Sequence, residues 1–287
     1  MSDAFRSDGG LEGDSQGGMI EAISFDFANT LVPVRRATFR ALVNLMVTSP
    51  GSPVPVRERP VFLAAWEEER DRQFREVVPA GREVDLEERI ARVLARLRGL
   101  PAPPPGQRWD DAAARGRSGA DERAQLIEGY VRSFVTAAPP PPTVGPMLRR
   151  LRDRGLRLGI LSNWPLAVAV ERYAEAAGWR PMLSVIVVSQ RVGAIKPSPR
   201  IFAVAATELD LAGDRILHLG DDWTADVVGA RCAGWRAGFL RGQETDWPRQ
   251  PIDPAVQVTA DLVIDRLDLL EGELDRWRAS AKDAGAR

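Results

Sequence analysis

Lysine is nearly absent from this 287-residue chain: Lys196 and Lys282 are the only two, and arginine supplies almost all the positive charge. Each lysine is therefore informative in a way that no single arginine is. Cysteine is scarcer still. Cys232 stands alone, which excludes an internal disulfide and a multi-cysteine zinc site. Its simplest reading is a small buried apolar residue, and so few thiols fit a reducing, cytoplasmic setting. Net charge is missing too: 39 basic residues face 40 acidic ones, so no global field draws the protein to nucleic acid or to an anionic membrane. The expected partners are small. No run approaches the ~18–20 apolar residues of a membrane-spanning helix, and residues 1–18 are polar and glycine-rich, without the apolar centre of a signal peptide. Because Met19 directly precedes the first apolar run, residues 1–18 are expected to be a disordered tail or an upstream start-site artefact.

What the chain does have is a recurrence of short apolar runs: Ile20–Phe25, Leu156–Leu161, Ser184–Val188, Ile216–Leu219, Trp235–Leu240 and Ala260–Ile264. Helical patterns separate most of them. That alternation predicts an α/β fold, a Rossmann-like doubly wound parallel sheet covered on both faces, over residues 19–32 and 144–270. A C-terminal helix and tail, 271–287, follow. Residues 33–143 differ in character, with apolar positions at helical spacing: Phe39, Leu42, Val43 and Met46; Leu86, Ile90, Val93, Leu94 and Leu97; Leu126, Ile127, Tyr130, Val131 and Phe134. They predict an all-helical cap inserted between the first two strands. Proline-rich stretches at Ser49–Pro60, Leu100–Gly106 and Pro139–Pro142 break its helices, and the last reads as the hinge back to the main domain. Gly99–Ala120 is expected to be mobile, and the Glu67–Arg72 charge cluster to be a solvated helix face.

Ligands of such sheets bind at the carboxyl ends of the strands. Four polar groups stand there: Asp26-Phe27-Ala28-Asn29-Thr30; Ser162-Asn163; Lys196 within Gly193-Ala194-Ile195-Lys196-Pro197; and Gly220-Asp221-Asp222-Trp223-Thr224-Ala225-Asp226. Any one alone is weak, since a strand-end aspartate is often a helix cap and a serine a turn residue. Their order carries the inference. A carboxylate, a hydroxyl, an ammonium and an acidic pair converging on one crevice suit phosphoryl transfer, in which a carboxylate attacks phosphorus and a cation screens the two anions.

In these four motifs, in this order, the chain resembles the haloacid dehalogenase superfamily, and Leu161-Ser162-Asn163 with Ile195-Lys196-Pro197 resembles the subgroup with a helical cap between the first and second motifs. The resemblance spans roughly Met19 to Leu270 apart from the insertion. It implies a hydrolase using Mg²⁺, with Asp26 as nucleophile and metal ligand and the Ala28 backbone carbonyl as a further ligand. Thr30, Ser162 and Lys196 become phosphate contacts, and Asp221 and Asp226 the acidic end of the metal site, with Asp222 less characteristic. The expected substrate is a small phosphorylated metabolite, contacted also by Asn29, Asn163, Arg35 and Arg36, the two arginines closest after the nucleophile loop.

The departure from the pattern is Ala28, where phosphatases of this family carry a second aspartate as general acid. Loss of such a group typically costs ~10²–10⁴-fold in rate. Phosphonoacetaldehyde hydrolases have alanine there, but they need a cap lysine, and no lysine precedes Lys196. The 2-haloacid dehalogenases also lack the second aspartate and need no metal; their usual tyrosine is absent, and Asp221, Asp222 and Asp226 would repel one another without a cation. A phosphohydrolase with another proton donor is the preferred reading. A 2-haloacid dehalogenase-like hydrolase, or a catalytically impaired protein that binds a phosphorylated ligand or a partner, is the alternative. Asn29 in the family's glycine position is tolerable, because asparagine accepts positive φ. His218, the single histidine, reads as a core residue, and Trp164 and Trp223 either line the pocket mouth or pack beneath the cap.

Overall fold

A computed structural model describes residues 19–243, 246 and 257–285. The segment 1–18 lies outside the described residues. Six strands form: β1 (Ala22–Phe25), β2 (Arg157–Ser162), β3 (Val185–Val188), β4 (Ile216–Gly220), β5 (Arg236–Leu240) and β6 (Leu262–Ile264). Each coincides with one of the predicted apolar runs to within two residues at either end. All five pairings are parallel, in the order β3-β2-β1-β4-β5-β6. Successive side chains of a strand point to opposite faces. Thus Ile23 and Phe25 of β1 enter one apolar cluster, while Ala22 enters another with Phe202 and Trp235. Burial on both faces is why these strands read as apolar runs rather than as alternation.

The helices are α1 (Arg36–Thr48), α2 (Arg59–Val77), α3 (Leu86–Leu97), α4 (Asp111–Gly116), α5 (Ala120–Ala137), α6 (Val144–Asp153), α7 (Ala167–Ala176), α8 (Ser189–Val192), α9 (Pro199–Leu209), α10 (Gly229–Cys232) and α11 (Leu270–Gly285). The first five make up the insertion between β1 and β2. Its stripes pack as anticipated: Leu42, Val43 and Met46 on α1, Ile90 and Val93 on α3, and Leu126, Tyr130 and Phe134 on α5 are buried in one cluster. That cluster continues into the sheet through Phe27, whose ring meets Phe134 at 5.8 Å, Trp164 at 5.8 Å and Tyr173 at 5.2 Å, all edge-on. A residue of the loop after β1 thereby joins the insertion to the core.

Three expectations fail. Residues 99–120 are not a loose stretch: α4 forms there, Trp109 is buried against Ala95 and Ala114, and its indole Nε1 donates to Glu69 at 2.8 Å. Nor is 67–72 a solvated face. Glu69 is completely buried and takes Arg96 at 3.1 Å, while Arg70, also buried, pairs with Glu67 at 2.8 Å and Asp71 at 2.9 Å. Charges enter a core when partners neutralise them; Arg70 finds its partners on its own helix, whereas Glu69 takes Arg96 from α3, 27 residues away. Cys232, read as buried, is exposed.

Candidate active site

In the order 3-2-1-4-5-6 the connection direction reverses between β1 and β4, and a crevice opens at their carboxyl ends. Asp26 follows the last residue of β1, and its N–H donates to Leu219 O of β4 at 2.9 Å. Ser162 closes β2 on the other side of β1, and Asp221 follows the last residue of β4. Beyond Asp221 the chain makes a six-residue π-type turn, Trp223–Val228, which returns Asp226 to the strand ends. Asp222 shapes that turn: its carboxylate accepts from Ala225 N at 2.8 Å, and its own N–H donates to Asp226 Oδ2 at 2.9 Å. Gly220 is what permits the return. A Cβ at this position would lie 2.1 Å from Asp226 Oδ2.

Lys196 comes from the segment between α8 and α9 and is 1 % exposed. Its Nζ donates to Asp26 Oδ1 at 2.7 Å and to Asp226 Oδ1 at 2.6 Å. Burial alone would lower the ammonium, but Asp226 and Asp26 outweigh it and hold its pKa above the usual value. Burial likewise opposes ionisation of Asp226, yet Lys196 and His218 hold that carboxyl well below the ordinary range. Asp26 goes the other way: desolvation, reinforced by the Asp226 charge and only partly offset by Lys196, pushes it up to about 7. One oxygen each of Asp26, Asp221 and Asp226 lies within a 4.8 Å group. With all three ionised against one ammonium, two negative charges would remain, and oxygen donors around such an excess fit a hard divalent cation. Asp226 already accepts three donors, so its first duty is to Lys196.

Of the residues singled out from sequence, Asp26, Thr30, Lys196, Asp221 and Asp226 come together, Thr30 Oγ1 donating to Asp221 Oδ1 at 3.3 Å. Ser162, 1 % exposed, holds a buried Oγ with no hydrogen-bond partner, the state expected of a hydroxyl that serves a ligand. Ala28, half-buried, pairs with Val32 in an isolated bridge that shapes the loop. Asn29 and Asn163 depart from expectation. The Asn29 Oδ1 accepts from Val34 N at 3.0 Å with φ at 58°, so the side chain ties the loop it turns. Asn163 Oδ1 accepts from Lys196 N at 2.7 Å and its Nδ2 donates to Lys196 O at 3.1 Å, a two-point grip on the backbone that carries the ammonium. Both amides hold backbone of the site, Asn29 that of its own loop and Asn163 that of Lys196. Arg36 is engaged with Asp246, donating from its backbone N at 2.9 Å and from Nε at 3.2 Å, and Arg35 is an exposed residue at the start of α1.

His218 is a core histidine, fully buried, but not an indifferent one. Its Nε2 lies 3.1 Å from Asp226 Oδ1 and its Nδ1 lies 3.1 Å from Ser24 Oγ, while burial holds its pKa below the usual value. With a neutral ring and an ionised Asp226, Nε2 carries the hydrogen and Nδ1 accepts from Ser24. Trp164 packs beneath the insertion, stacked on Phe134 at 5.1 Å and on Phe39 at 5.5 Å. Sequence reasoning missed the contact between insertion and sheet: Ser189 Oγ donates to Glu83 Oε2 at 2.5 Å while accepting from Trp164 N at 2.9 Å. One acid among 40 gives no signal of such a role.

Comparison with known proteins agrees with this geometry. A family model described as haloacid dehalogenase-like hydrolase matches residues 20–234. A glyceraldehyde 3-phosphate phosphatase of Methanopyrus kandleri is 31 % identical over 229 residues, 76 % of this chain and 91 % of that protein. A phosphatase of Mycobacterium tuberculosis is 34 % identical over 132 residues, covering 45 % of this chain and only 58 % of its own length. A 2-haloacid dehalogenase from Pseudomonas syringae shares the fold, with a TM-score of 0.58 at 22 % identity over 90 % of this chain and all of that one. Among the described residues no helix is long and apolar enough to cross a membrane. With the Asp26 loop, strand-end serine, lysine and acidic turn gathered at one switch point, and a family match over residues 20–234, the chain belongs to the haloacid dehalogenase-like hydrolases.

Proposed function

We propose that the protein is a phosphohydrolase acting on a small phosphorylated metabolite through an aspartyl-phosphate at Asp26. The observation that carries this reading is the buried Lys196 ammonium bridging Asp26 and Asp226 beside Asp221. Phosphatase activity in the Methanopyrus and Mycobacterium relatives, and in a partly matching phosphoserine phosphatase from Thermus thermophilus, supports it.

The Asp26 carboxylate attacks phosphorus in line with the ester oxygen, the phosphorus–oxygen ester bond breaks, and the phosphoryl group passes to Asp26. Lys196 balances charge on the nucleophile. The unpartnered Ser162 hydroxyl donates to a phosphoryl oxygen, and Thr30 stands on the opposite side beside Asp221. Water then attacks phosphorus, the bond to Asp26 breaks, and the carboxylate is restored. Asp26, Asp221 and the Ala28 carbonyl, together with Asp226, would hold Mg²⁺, which would supply electrostatic screening between the carboxylate and the phosphate dianion. Ala28 has no proton to give, so the leaving oxygen draws its proton from solvent, and substrates with good leaving groups are favoured. The insertion acts as the cap over this crevice.

The test is hydrolysis of p-nitrophenyl phosphate and acetyl phosphate with Mg²⁺ and with EDTA. Metal-dependent turnover that disappears in Asp26→Asn is expected. Halide release from 2-chloropropionate without metal, or phosphate-analogue binding without any turnover, would overturn the reading.

A further inference from the structure

One short segment of the insertion, residues 81–83 between α2 and α3, bonds directly to the backbone segments that carry site residues. Glu83 Oε2 accepts from Ser189 Oγ at 2.5 Å, and that hydroxyl in turn accepts from Trp164 N at 2.9 Å. Gly81 O accepts from Ile195 N at 3.4 Å. Trp164 stands two residues after Ser162, and Ile195 directly precedes Lys196. Between these two anchored peptides Asn163 grips Lys196, accepting from its N at 2.7 Å and donating to its O at 3.1 Å. Followed from atom to atom, the bonds close on themselves. They run from Glu83 to Ser189 and Trp164, back one residue to Asn163, across to Lys196, back one residue to Ile195, and home to Gly81. The ring ties one segment of the insertion to the two segments that bear the Ser162 hydroxyl and the Lys196 ammonium.

The core side of the ring is anchored in the sheet. Ser162 ends β2 and pairs in register with Val188, the last residue of β3, so Trp164 and Ser189 leave neighbouring strands at the same level, and both are buried. Glu83 is placed differently. It is half-buried, its Oε1 accepts from Val84 N at 2.9 Å, and among the described residues no cation lies within ion-pairing distance of it. One oxygen thus fixes the carboxylate to its own loop while the other reaches across to the core. A bond from a hydroxyl to a carboxylate is short and strong. Yet parting this one breaks no ion pair and returns the carboxylate to water, so the contact suits a joint that is made and released. Such a joint is needed, because Lys196, Asp226 and the unpartnered Ser162 Oγ are all shut from solvent.

We propose that Glu83 is a positioning residue which, through Ser189 and the ring, sets the Ser162 hydroxyl and the Lys196 ammonium when the insertion closes over a bound phosphate ester. The inference rests on the phosphohydrolase reading above and adds a coupling between the insertion and the reacting groups. The insertion parts from the core at the Glu83–Ser189 and Gly81–Ile195 bonds to admit substrate. On closing, the same two bonds restore the peptide after Asn163 and the peptide before Lys196. Glu83 touches no substrate; it acts through the backbone of the groups that do.

Turnover of p-nitrophenyl phosphate by the full chain in Mg²⁺ tests this. Glu83→Ala should lower kcat about tenfold, less than the ~10²-fold of a fully misplaced group, because Asn163 still holds Lys196. Glu83→Gln, whose amide oxygen still accepts from Ser189, should recover most of that loss; Glu83→Asp, which keeps the charge but falls short of Ser189, should not. Ser189→Ala should cost at least as much as Glu83→Ala, and the double variant no more than Ser189→Ala alone, since both remove one bond. A residue that only stabilises the insertion would lower the melting temperature and leave kcat unchanged. Amide hydrogen exchange supplies a readout independent of turnover: Glu83→Ala should speed exchange at Trp164, Ile195 and Lys196, the amides that donate within the ring, and leave β5 unchanged. An unchanged kcat in Glu83→Ala, multiplied losses in the double variant, or faster exchange confined to the insertion overturns the proposal. Should Glu83→Ala fail to fold, Glu83→Asp against Glu83→Gln decides. If the wild type does not turn over p-nitrophenyl phosphate, the phosphohydrolase reading falls, and exchange at the three amides decides whether the ring couples the insertion to the site.

Discussion

The strand-end cluster and the α3 face of the insertion both bury charge, and they balance it in opposite ways. At the strand ends Lys196 bridges Asp26 and Asp226, and short, stiff connections hold the groups in place: Asp26 at the end of β1, Asp226 in a tight turn, and Lys196 in the two-point grip of Asn163. In the insertion, Arg92 and Arg96 are likewise matched with carboxylates, but Arg89 is not. The first region gathers carboxylates in excess of its one ammonium, whereas the second leaves a buried guanidinium with no carboxylate within ion-pairing distance among the described residues.

Changes at the strand ends should break this contrast most severely. Asp26→Asn is expected to abolish turnover, seen as loss of phosphate release from acetyl phosphate. It should at the same time stabilise the metal-free protein, with a sign set by the raised Asp26 pKa. A carboxyl whose folded pKa of about 7 exceeds its unfolded value of 3.8 contributes stability at low pH and loses it as pH rises through 7. The melting temperature of Asp26→Asn should therefore exceed that of the wild type by several degrees at pH 8 in EDTA, converge with it near pH 4, and lose much of its advantage when Mg²⁺ is added. Equal melting temperatures at pH 8 would mean that the Asp26 charge is already compensated without a cation.

Gly220→Ala comes next. Its Cβ collides with the Asp226 carboxylate, and displacement of that group should cost ~10²-fold or more in kcat, on the scale of a misplaced catalytic constellation, while circular dichroism stays unchanged. His218→Gln should do less, roughly tenfold in kcat, since it loosens Asp226 without moving it; an accompanying rise in the Mg²⁺ concentration needed for half-maximal activity would show that the effect passes through the acidic turn. In the opposite direction, Ala28→Asp should raise turnover of alkyl phosphates up to ~10²-fold, because it restores a proton donor. The smallest effect belongs to the insertion. Trp109→Phe removes the donor to buried Glu69 and should cost ~1–3 kcal/mol of stability by denaturant titration, with kcat within a factor of two of wild type.

These expectations draw unevenly on sequence and structure. Asp26, Ser162 and Asp221 were legible because each follows or ends an apolar run, and parallel strands deliver such positions to one edge, whereas Lys196 comes from the segment between α8 and α9 and was legible as one of two lysines within its motif. Asn29 and Asn163 were legible as members of the motifs, but their work was not, since an amide that grips a backbone 33 residues away looks the same in sequence as one that greets a substrate. Glu69, Arg70 and Trp109 were misread for a related reason. A charged or isolated aromatic residue is assigned to solvent unless its partner is known, and the partner of Glu69 lies 40 residues along the chain.

The sequence by itself determined the strand periodicity, the helical spacing of the insertion and the order of the four polar motifs, because apolar burial and strand-end chemistry are local properties written in short stretches. Tertiary structure alone decided which charges meet. In a chain with so many arginines, no pattern separates Arg89 from Arg92 until helix packing gives one a carboxylate and the other none. Electrostatic pairing depends on distance in space, and that distance exists only once the chain has folded.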